Sequence, residues 1–339
     1  MDVRKRVWAT IAVILILAVS VVAFYASNNT PGKSMTPQVG AFLYLWYGNA
    51  TTGIGGLGSP GWNSSSSPGG GSVVDGPDSG FYVSDSNQTF QTQISQMKEA
   101  GLSFAIVSWW GPSSAGEAGA INKATIDLFD YLKRTNSSFQ IAIMADVFPD
   151  SDNSSSFLPP QTYAYIQDTF VTPYSRWYFQ WEGKPLLLLF NNLQPGSGTN
   201  FTIRTVGNRP NSVNWTFWDA PESYFAGQGG DGVNMSNDIG NPVISSLDGE
   251  VTLVPRIDSY YNYAEGHQNG YLRFDPTLQL GLYQYEWNYV LEHKTQVKLV
   301  LIYSWNEYHE RTSIEPHVDL AKVNSTYLSD LTAHFISEL

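Results

Sequence analysis

The sequence predicts an α/β fold: a (β/α)8 TIM barrel preceded by one N-terminal transmembrane helix. Short apolar runs alternate with helical patterns along most of the 339 residues, which is typical of parallel strands joined by crossover helices. No Gly-x-Gly-x-x-Gly or Walker-type loop follows any run, which argues against an open doubly wound nucleotide-binding sheet. Polar aromatic and acidic residues follow the runs instead, and barrel enzymes carry their chemistry at these strand ends.

Seven apolar runs have the length and composition of buried parallel strands. They cover residues 39–46, 104–110, 141–148, 186–190, 215–218, 251–254 and 297–304. Residues 201–206 are the candidate for an eighth strand, although the spacing from Phe190 to Trp215 leaves little room for helices. A closed barrel is the favoured interpretation, and an open sheet is the alternative.

Four helices are predicted from apolar residues that recur on one helical face. These faces consist of Phe90, Ile94 and Met97; Ile121, Leu128 and Leu132; Tyr283, Trp287, Val290 and Leu291; and Leu328, Leu331, Phe335 and Ile336. Gly101 marks the expected end of the first helix.

The N-terminal residues predict a membrane anchor. Arg4, Lys5 and Arg6 precede residues 7–25, which contain no charged side chain and are almost long enough to span a hydrocarbon core. The basic flank predicts that the N-terminus lies on the inner side of the cell membrane and the rest of the chain on the outer side. The exit at residues 24–26 is a poor match to a signal-peptidase site, so an anchor is favoured over a cleaved, secreted form. We expect an anchor or signal segment at 1–26, a linker at 27–37 and a catalytic domain at 38–339.

Glycosylation signals and composition agree with an exterior protein that acts on a neutral partner. Asn-x-Ser/Thr sequons begin at Asn28, Asn49, Asn63, Asn87, Asn136, Asn153, Asn200, Asn214, Asn234 and Asn324. The net charge of −12 argues against a nucleic-acid partner. The chain has no cysteine, which excludes disulfides, thiolate metal sites and cysteine nucleophiles.

Two carboxylates after the last predicted strand are the candidate catalytic pair. Glu307 and Glu310 stand three residues apart on a predicted rim loop. Neighbouring carboxylates push one pKa upward, so that one group can act as an acid and the other as a base, as glycoside cleavage requires. The alternative is a surface pair neutralised by Lys298 and Arg311. A metal site is disfavoured, because His309 and its acidic neighbours lack a metal-binding spacing.

Aromatic residues at the strand ends are the candidate platform for a sugar ring. These candidates are Tyr44, Trp46, Tyr47, Trp109 and Trp110. Adjacent residues on a strand face opposite sides, so one of the two neighbouring tryptophans is expected to face the pocket while the other could lie in the core. Asn306, Tyr308 and His309 are the candidates for hydrogen bonds to sugar hydroxyls, which predicts an oligosaccharide or polysaccharide substrate.

The rim-loop sequence resembles a known family. Residues 304–316 read Ser-Trp-Asn-Glu-Tyr-His-Glu-Arg-Thr-Ser-Ile-Glu-Pro, which is similar to the Asn-Glu-Trp-His-Glu-Gly-Thr-Gln-Ile-Glu-Pro signature of glycoside hydrolase family 99. Residues 44–49, 80–85, 97–101 and 108–111 also match, in family order. The resemblance implies a (β/α)8 barrel, endo-acting hydrolysis of α-mannosides with retention, and no cofactor. It further implies that Glu310 is the acid/base and that Glu307 assists the sugar's own 2-hydroxyl.

The sequence departs from the family pattern at several positions. Tyr308 replaces a tryptophan, Arg311 a glycine and Ser313 a glutamine, and the region 254–258 also differs. Arg311 is expected at the rim, where it would narrow the cleft or contact an anionic sugar. Two alternatives follow: an α-glucanase on the same barrel, or an inactive carbohydrate-binding surface glycoprotein. The second is favoured if Arg311 pairs with Glu310, because that pairing would lower the pKa of the acid.

Overall fold

The computed structural model describes residues 36–48, 62, 73–146, 158–190, 193, 196, 199–207, 215–216, 233–234, 241–258 and 272–339. The chain divides into two units, 1–36 and 37–339, and the fold below belongs to the second. None of the helices found in the described residues has the length and apolar character needed to cross a membrane. The proposed anchor at 7–25 lies outside these residues, as do the sequons at 28, 49, 63, 153 and 214.

The described strands and helices alternate at both ends of the chain, whereas the strands between residues 180 and 274 follow one another without a described helix between them. The strands are β1 (Gln38–Leu43), β2 (Gly76–Pro77), β3 (Phe104–Trp109), β4 (Gln140–Ala145), β5 (Gln180–Trp181), β6 (Lys184–Phe190), β7 (Thr202–Gly207), β8 (Trp215–Thr216), β9 (Val233–Asn234), β10 (Glu250–Leu253), β11 (Ile257–Asp258), β12 (Leu272–Phe274), β13 (Leu299–Ile302) and β14 (His317–Val318). The helices are α1 (Asn87–Glu99), α2 (Gly116–Thr135), α3 (Pro160–Ile166), α4 (Leu282–Glu292) and α5 (Tyr327–Ile336).

The main sheet is a curled row of parallel strands. Its order is β10-β13-β1-β3-β4-β6-β7-β8, and each neighbouring pair is parallel. The two ends of the row, β8 and β10, are in contact with each other. The predicted barrel-like α/β fold is therefore confirmed, and the candidate eighth strand is confirmed as β7.

Alternate residues along the strands divide between two cores, as the period of a strand requires. In β3, Ala105, Val107 and Trp109 pack with the helices, whereas Phe104 and Ile106 point into the barrel. The inner core is close-packed: a side chain at Gly40 would collide with the ring of Phe104. This division decides which strand-end residues can reach the mouth of the barrel.

The helices match the four predicted apolar faces and include one that was not expected. Ser86 caps α1 by accepting a hydrogen bond from the Thr89 N–H at 3.1 Å, and Gly101 follows that helix at φ +86°. The short α3, which continues as a π-helical turn at Gln167–Val171, carries too few turns for a clear apolar period. Five helices lie within the described part of the chain rather than the eight of a regular barrel.

A small antiparallel ladder closes the rim beside β13. Gly76–Pro77 of β2 pairs with His317–Val318 of β14, so the segment before α1 is bound to the end of the rim loop. Because the barrel strands are parallel, their carboxyl ends meet at one edge, and residues 44–48, 110, 146 and 303–316 gather there.

Candidate active site

The loop after β13 is held in place by its own backbone. The Trp305 N–H donates to the carbonyl of Phe42 in β1 at 2.8 Å, and the Glu315 N–H returns to the carbonyl of Trp305 at 2.8 Å. The Glu307 N–H donates to the Ser304 hydroxyl at 2.8 Å. Both glutamates therefore stand on a compact loop whose base is attached to the barrel.

Glu307 is buried and its carboxylate is held by one neighbour. Its Oε1 accepts from the backbone N–H of His309 at 2.8 Å and faces the Nδ1 of the same residue at 3.1 Å. The Glu307 side chain is only 4% exposed, so this contact is shielded from water. The arrangement orients a carboxylate at the barrel mouth.

Glu310 is the second carboxyl group, and it holds its proton unusually tightly. Burial and, to a smaller extent, the negative charge of Glu307 raise the pKa of Glu310 to about 7. The hydroxyl of Tyr303 donates to Glu310 Oε2 at 2.6 Å, and this bond lowers the pKa, as does the charge of His309. A carboxyl group that is protonated near neutral pH is suited to general acid catalysis.

His309 is a partly exposed neighbour of both acids. Burial lowers the pKa of His309, but the hydrogen bond to Glu307 and the charges of Glu307 and Glu310 outweigh it, and the net shift is upward. Its side chain is 21% exposed, so it is accessible from the mouth of the barrel. Its hydrogen bond to a sugar hydroxyl stays a prediction.

Tyr44, Trp46 and Trp110 form an aromatic wall beside the carboxyl groups. The rings of Tyr44 and Trp46 lie 4.4 Å apart, and Trp46 meets Trp110 edge-on at 5.7 Å. Trp46 also meets the His309 ring at 6.0 Å. The two tryptophans are half-buried, which leaves part of each ring for the face of a sugar.

Trp109 does not belong to this wall, and its predicted contact with substrate is wrong. Its indole N–H donates to Asn122 of α2 at 2.9 Å, and its ring packs against Tyr165 and Phe170. It is fully buried on the helix side of the sheet. Trp110, the first residue after β3, is only half-buried and meets Trp46 instead.

Three other predicted binding residues are buried supports rather than parts of the cleft. Asn306 exchanges two hydrogen bonds with the backbone of Tyr44, at 2.8 and 2.9 Å. The Tyr47 hydroxyl donates to the Asn306 carbonyl at 2.6 Å, and the Tyr308 hydroxyl donates to Glu315 at 2.8 Å. Asn306, Tyr47 and Tyr308 are completely buried, so the prediction of direct sugar contacts is corrected for all three.

The structure adds residues that the sequence analysis did not select. Tyr303, the last inward-facing residue after β13, contacts Glu310. Asp146 follows β4, accepts from the Ser108 hydroxyl at 3.0 Å, and has its pKa raised to about 6 by burial. The position of Asp146, a carboxylate near the end of the apolar run 141–148, was a usable signal, whereas nothing local marks Tyr303.

Arg311 does not lie in the cleft, and the prediction that it narrows the cleft is wrong. It is 2% exposed, and its guanidinium binds Asp75 at 2.7 Å and Asp258 at 2.8 Å. Buried charges require partners, and these two carboxylates supply them. The pairing of Arg311 with Glu310, which would have favoured an inactive protein, is not what the structure shows.

One group in the described part of the chain has the spacing of a metal site. Ligand atoms of Asp75, His317 and Asp319 lie within 4.8 Å of one another. Arg256 contacts Asp75 at 2.9 Å and Asp319 at 2.6 Å. Guanidinium groups therefore already supply the positive charge that a cation would bring.

Comparison with known proteins supports the fold. No protein-family model matches the chain, and no curated protein matches it at a significant level. Its structure is similar to the GH99 endo-alpha-mannosidase from Bacteroides thetaiotaomicron, with 18% identity, a TM-score of 0.58, and 89% of this chain and 97% of that chain covered.

A second structure of that enzyme, in complex with bis-tris propane, gives 18% identity and a TM-score of 0.59 over 89% and 96% of the two chains. A glycoside hydrolase-like protein gives 15% identity and a TM-score of 0.52 over 89% and 94%. The resemblance that the rim-loop motif indicated is confirmed at the level of the fold.

Proposed function

We propose that the chain is an endo-acting, retaining glycoside hydrolase that cleaves α-mannosidic or glucosyl-mannose linkages. The observation that carries the proposal is Glu310, a carboxyl group whose pKa is raised to about 7 beside a second buried carboxyl group at the mouth of a barrel. The adjacent aromatic wall suits a sugar ring. The fold similarity to endo-alpha-mannosidases and the rim-loop motif support the substrate class.

In the first step Glu310 is the general acid. It donates its proton to the glycosidic oxygen while the bond from that oxygen to C1 breaks. The 2-hydroxyl oxygen of the same sugar attacks C1 from the opposite face, and Glu307 accepts the hydroxyl proton. The products are a released alcohol and a 1,2-epoxide of the sugar.

In the second step the roles reverse. Water attacks C1, Glu310 takes a proton from that water, and the bond from C1 to O2 breaks while Glu307 returns a proton to O2. Two inversions at C1 give net retention. The contact of His309 with Glu307 fits this scheme, because it aims the carboxylate that must exchange a proton with the 2-hydroxyl.

An α-glucanase activity is the second candidate, because the aromatic wall does not distinguish mannose from glucose. The 2-hydroxyl decides between them: in an α-mannoside it lies trans to the leaving group and can attack C1 from the opposite face, whereas in an α-glucoside it lies cis and cannot. An α-glucanase would therefore use Glu307 on C1 or on water directly. A substrate panel therefore tests the linkage and the sugar together.

The proposal also includes an anchor at 1–26 and a catalytic domain outside the membrane. The charge pattern before residue 7 supports it, and so does the exposure of the sequon residues Asn87, Asn136, Asn200 and Asn324. Extraction of membranes with carbonate and with detergent, together with glycosidase treatment of the chain from its native cell, would test both parts.

The deciding experiment is product analysis. The full-length chain is incubated with α-mannan and α-glucan oligosaccharides beside Glu310→Ala, Glu307→Gln and the surface control Glu99→Gln. We expect oligosaccharide release, with retained configuration, by the wild type and the control only. A substrate with a highly acidic leaving group should restore the first step in Glu310→Ala but not in Glu307→Gln, because such a group leaves without protonation. Sugar binding without turnover by every protein would refute the proposal.

A further inference from the structure

Glu315 is a buried carboxyl group at the end of the rim loop. It is 1% exposed, and it accepts hydrogen bonds from the hydroxyls of Tyr82 and Tyr308, each at 2.8 Å, and from Gln93 at 3.3 Å. All three donors are uncharged. Burial raises the pKa of Glu315 to about 7, while these hydrogen bonds lower it. Burial of an acid among uncharged groups costs free energy of folding, so the contacts of Glu315 require a functional explanation.

Both neighbours of Glu307 in the chain lead to the same oxygen of Glu315. On one side, Asn306 Nδ2 donates to the Tyr82 hydroxyl at 3.0 Å, and that hydroxyl donates to Glu315 Oε2. On the other side, the Tyr308 hydroxyl donates directly to the same Oε2. One carboxylate oxygen therefore holds the residues before and after Glu307.

The two hydrogen-bonded paths from Glu315, one through Tyr82 to Asn306 and one to Tyr308, are called arms below. They are joined a second time through Tyr47. Its hydroxyl donates to the Asn306 carbonyl at 2.6 Å and accepts from the Tyr308 N–H at 3.1 Å. The amide of Asn306 also binds both backbone groups of Tyr44. The peptide groups around Glu307 are thus linked to β1 on one side and to Glu315 on the other.

We infer that Glu315 is a positioning residue, which holds Glu307 in its reactive orientation through Tyr82 and Tyr308. The role in turnover rests on the proposed glycosidase function. The role in geometry does not, because the His309 contact reports the position of Glu307 without any substrate. A displacement on the order of 1 Å at a reacting group costs about a hundredfold in rate.

Substitution of Glu315 separates this role from simple packing. Glu315→Ala removes the shared acceptor, whereas the amide oxygen of Glu315→Gln can still accept from both hydroxyls once Gln93 turns its amide. Tyr82→Phe and Tyr308→Phe each remove one arm. Tyr283→Phe is the matched control, because it deletes another buried hydroxyl, bonded to Thr332 at 2.7 Å in the helix layer.

The first readout is a double-mutant cycle on kcat. We expect Glu315→Ala to lower kcat by about 10- to 100-fold with a much smaller change in KM, and Glu315→Gln to recover most of the loss. In the Glu315→Ala background, Tyr82→Phe should have little further effect, because the arm no longer has an anchor. Additive losses, or an equal loss in Tyr283→Phe, would overturn the inference.

The second readout is the NMR titration of His309, assigned with His309→Asn. The hydrogen bond to Glu307 is the main cause that raises the pKa of His309 against the effect of burial. This pKa should therefore fall in Glu315→Ala, recover in Glu315→Gln and stay unchanged in Tyr283→Phe. If Glu315→Ala does not fold, Tyr82→Phe and Tyr308→Phe should each show the same fall. A constant pKa in the folded variants refutes the positioning role, whereas a falling pKa in a protein without turnover refutes only the glycosidase.

Discussion

Replacement of Tyr303 by phenylalanine should move the pH dependence of activity in a defined direction. The Tyr303 hydroxyl donates to Glu310 Oε2 at 2.6 Å, and the residue is 3% exposed. Burial and nearby carboxylates raise the pKa of Tyr303 far above its ordinary value, so the hydroxyl keeps its proton and remains a donor. The bond favours the ionised form of Glu310, and its loss should raise the pKa of that acid.

The size of the shift follows from the strength of a hydrogen bond to a charged group, about 1.5–3 kcal/mol. The protonated carboxyl group retains part of this contact, which leaves a difference of about 1.4 kcal/mol, or about one pKa unit. Because the proposed mechanism requires protonated Glu310, activity falls on the alkaline side of its pKa. The alkaline limb of kcat/KM, expected near pH 7 in the wild type, should therefore lie near pH 8 in Tyr303→Phe.

The assay is kcat/KM across pH on the substrate that product analysis identifies. Tyr178→Phe is the control, because its buried hydroxyl donates to the Leu186 carbonyl at 2.9 Å, away from both acids. Carboxyl ¹³C resonances give the same pKa without turnover. A limb that stays in place, or moves to lower pH, would refute the assignment of Glu310 as the acid held by Tyr303.

Three further predictions test other parts of the structure. Because the folded-state pKa of Glu310 lies above its ordinary value, its ionisation lowers the stability of the protein as pH rises through about 7. Glu310→Gln should therefore stabilise the protein by about 1–3 kcal/mol at pH 8 but not at pH 4, as measured by denaturant melts. Equal effects at both pH values would contradict this. Arg311→Ala removes one guanidinium partner from each of the buried carboxylates Asp75 and Asp258, with Arg256 still in contact with Asp75, and should cost about 3–5 kcal/mol of stability. An altered sugar preference in a stable variant would instead place Arg311 in the cleft. Trp110→Ala should raise KM with little change in melting temperature, and Trp109→Ala should cost about 3–5 kcal/mol of stability, as calorimetry beside kinetics would show.

Most of the long strands and helices could be predicted from the sequence because they depend on local periodicity. Buried strands such as β3 and β13 are continuous apolar runs, and α1, α2, α4 and α5 each repeat an apolar face. The helix α3 escaped prediction because Pro160–Ile166 is too short for such a repeat. The contact of β8 with β10, which closes the row of strands, joins segments that no local pattern connects.

Glu307 and Glu310 could be identified as a pair because they lie three residues apart at the end of an apolar run. Their different surroundings could not be predicted, since the proton on Glu310 depends on its burial and on the hydroxyl of Tyr303. The same limit explains Asn306 and Tyr308. Their residue types suit a sugar, but their polar atoms are used by Tyr44, Tyr82 and Glu315, and only the folded chain brings these partners together.

The sequence by itself determined much of the order of elements, the edge of the sheet where the candidate site residues gather, and the two acids proposed for catalysis. These depend on residues close together in the chain, where periodicity and spacing act directly. The tertiary structure decided which tryptophan faces the cleft, and it placed Arg311 against Asp75, a residue 236 positions away. It also decided that Glu315 lies behind Glu307. Burial and hydrogen bonding depend on what surrounds an atom in space, and a buried charge takes the partner that the fold brings to it.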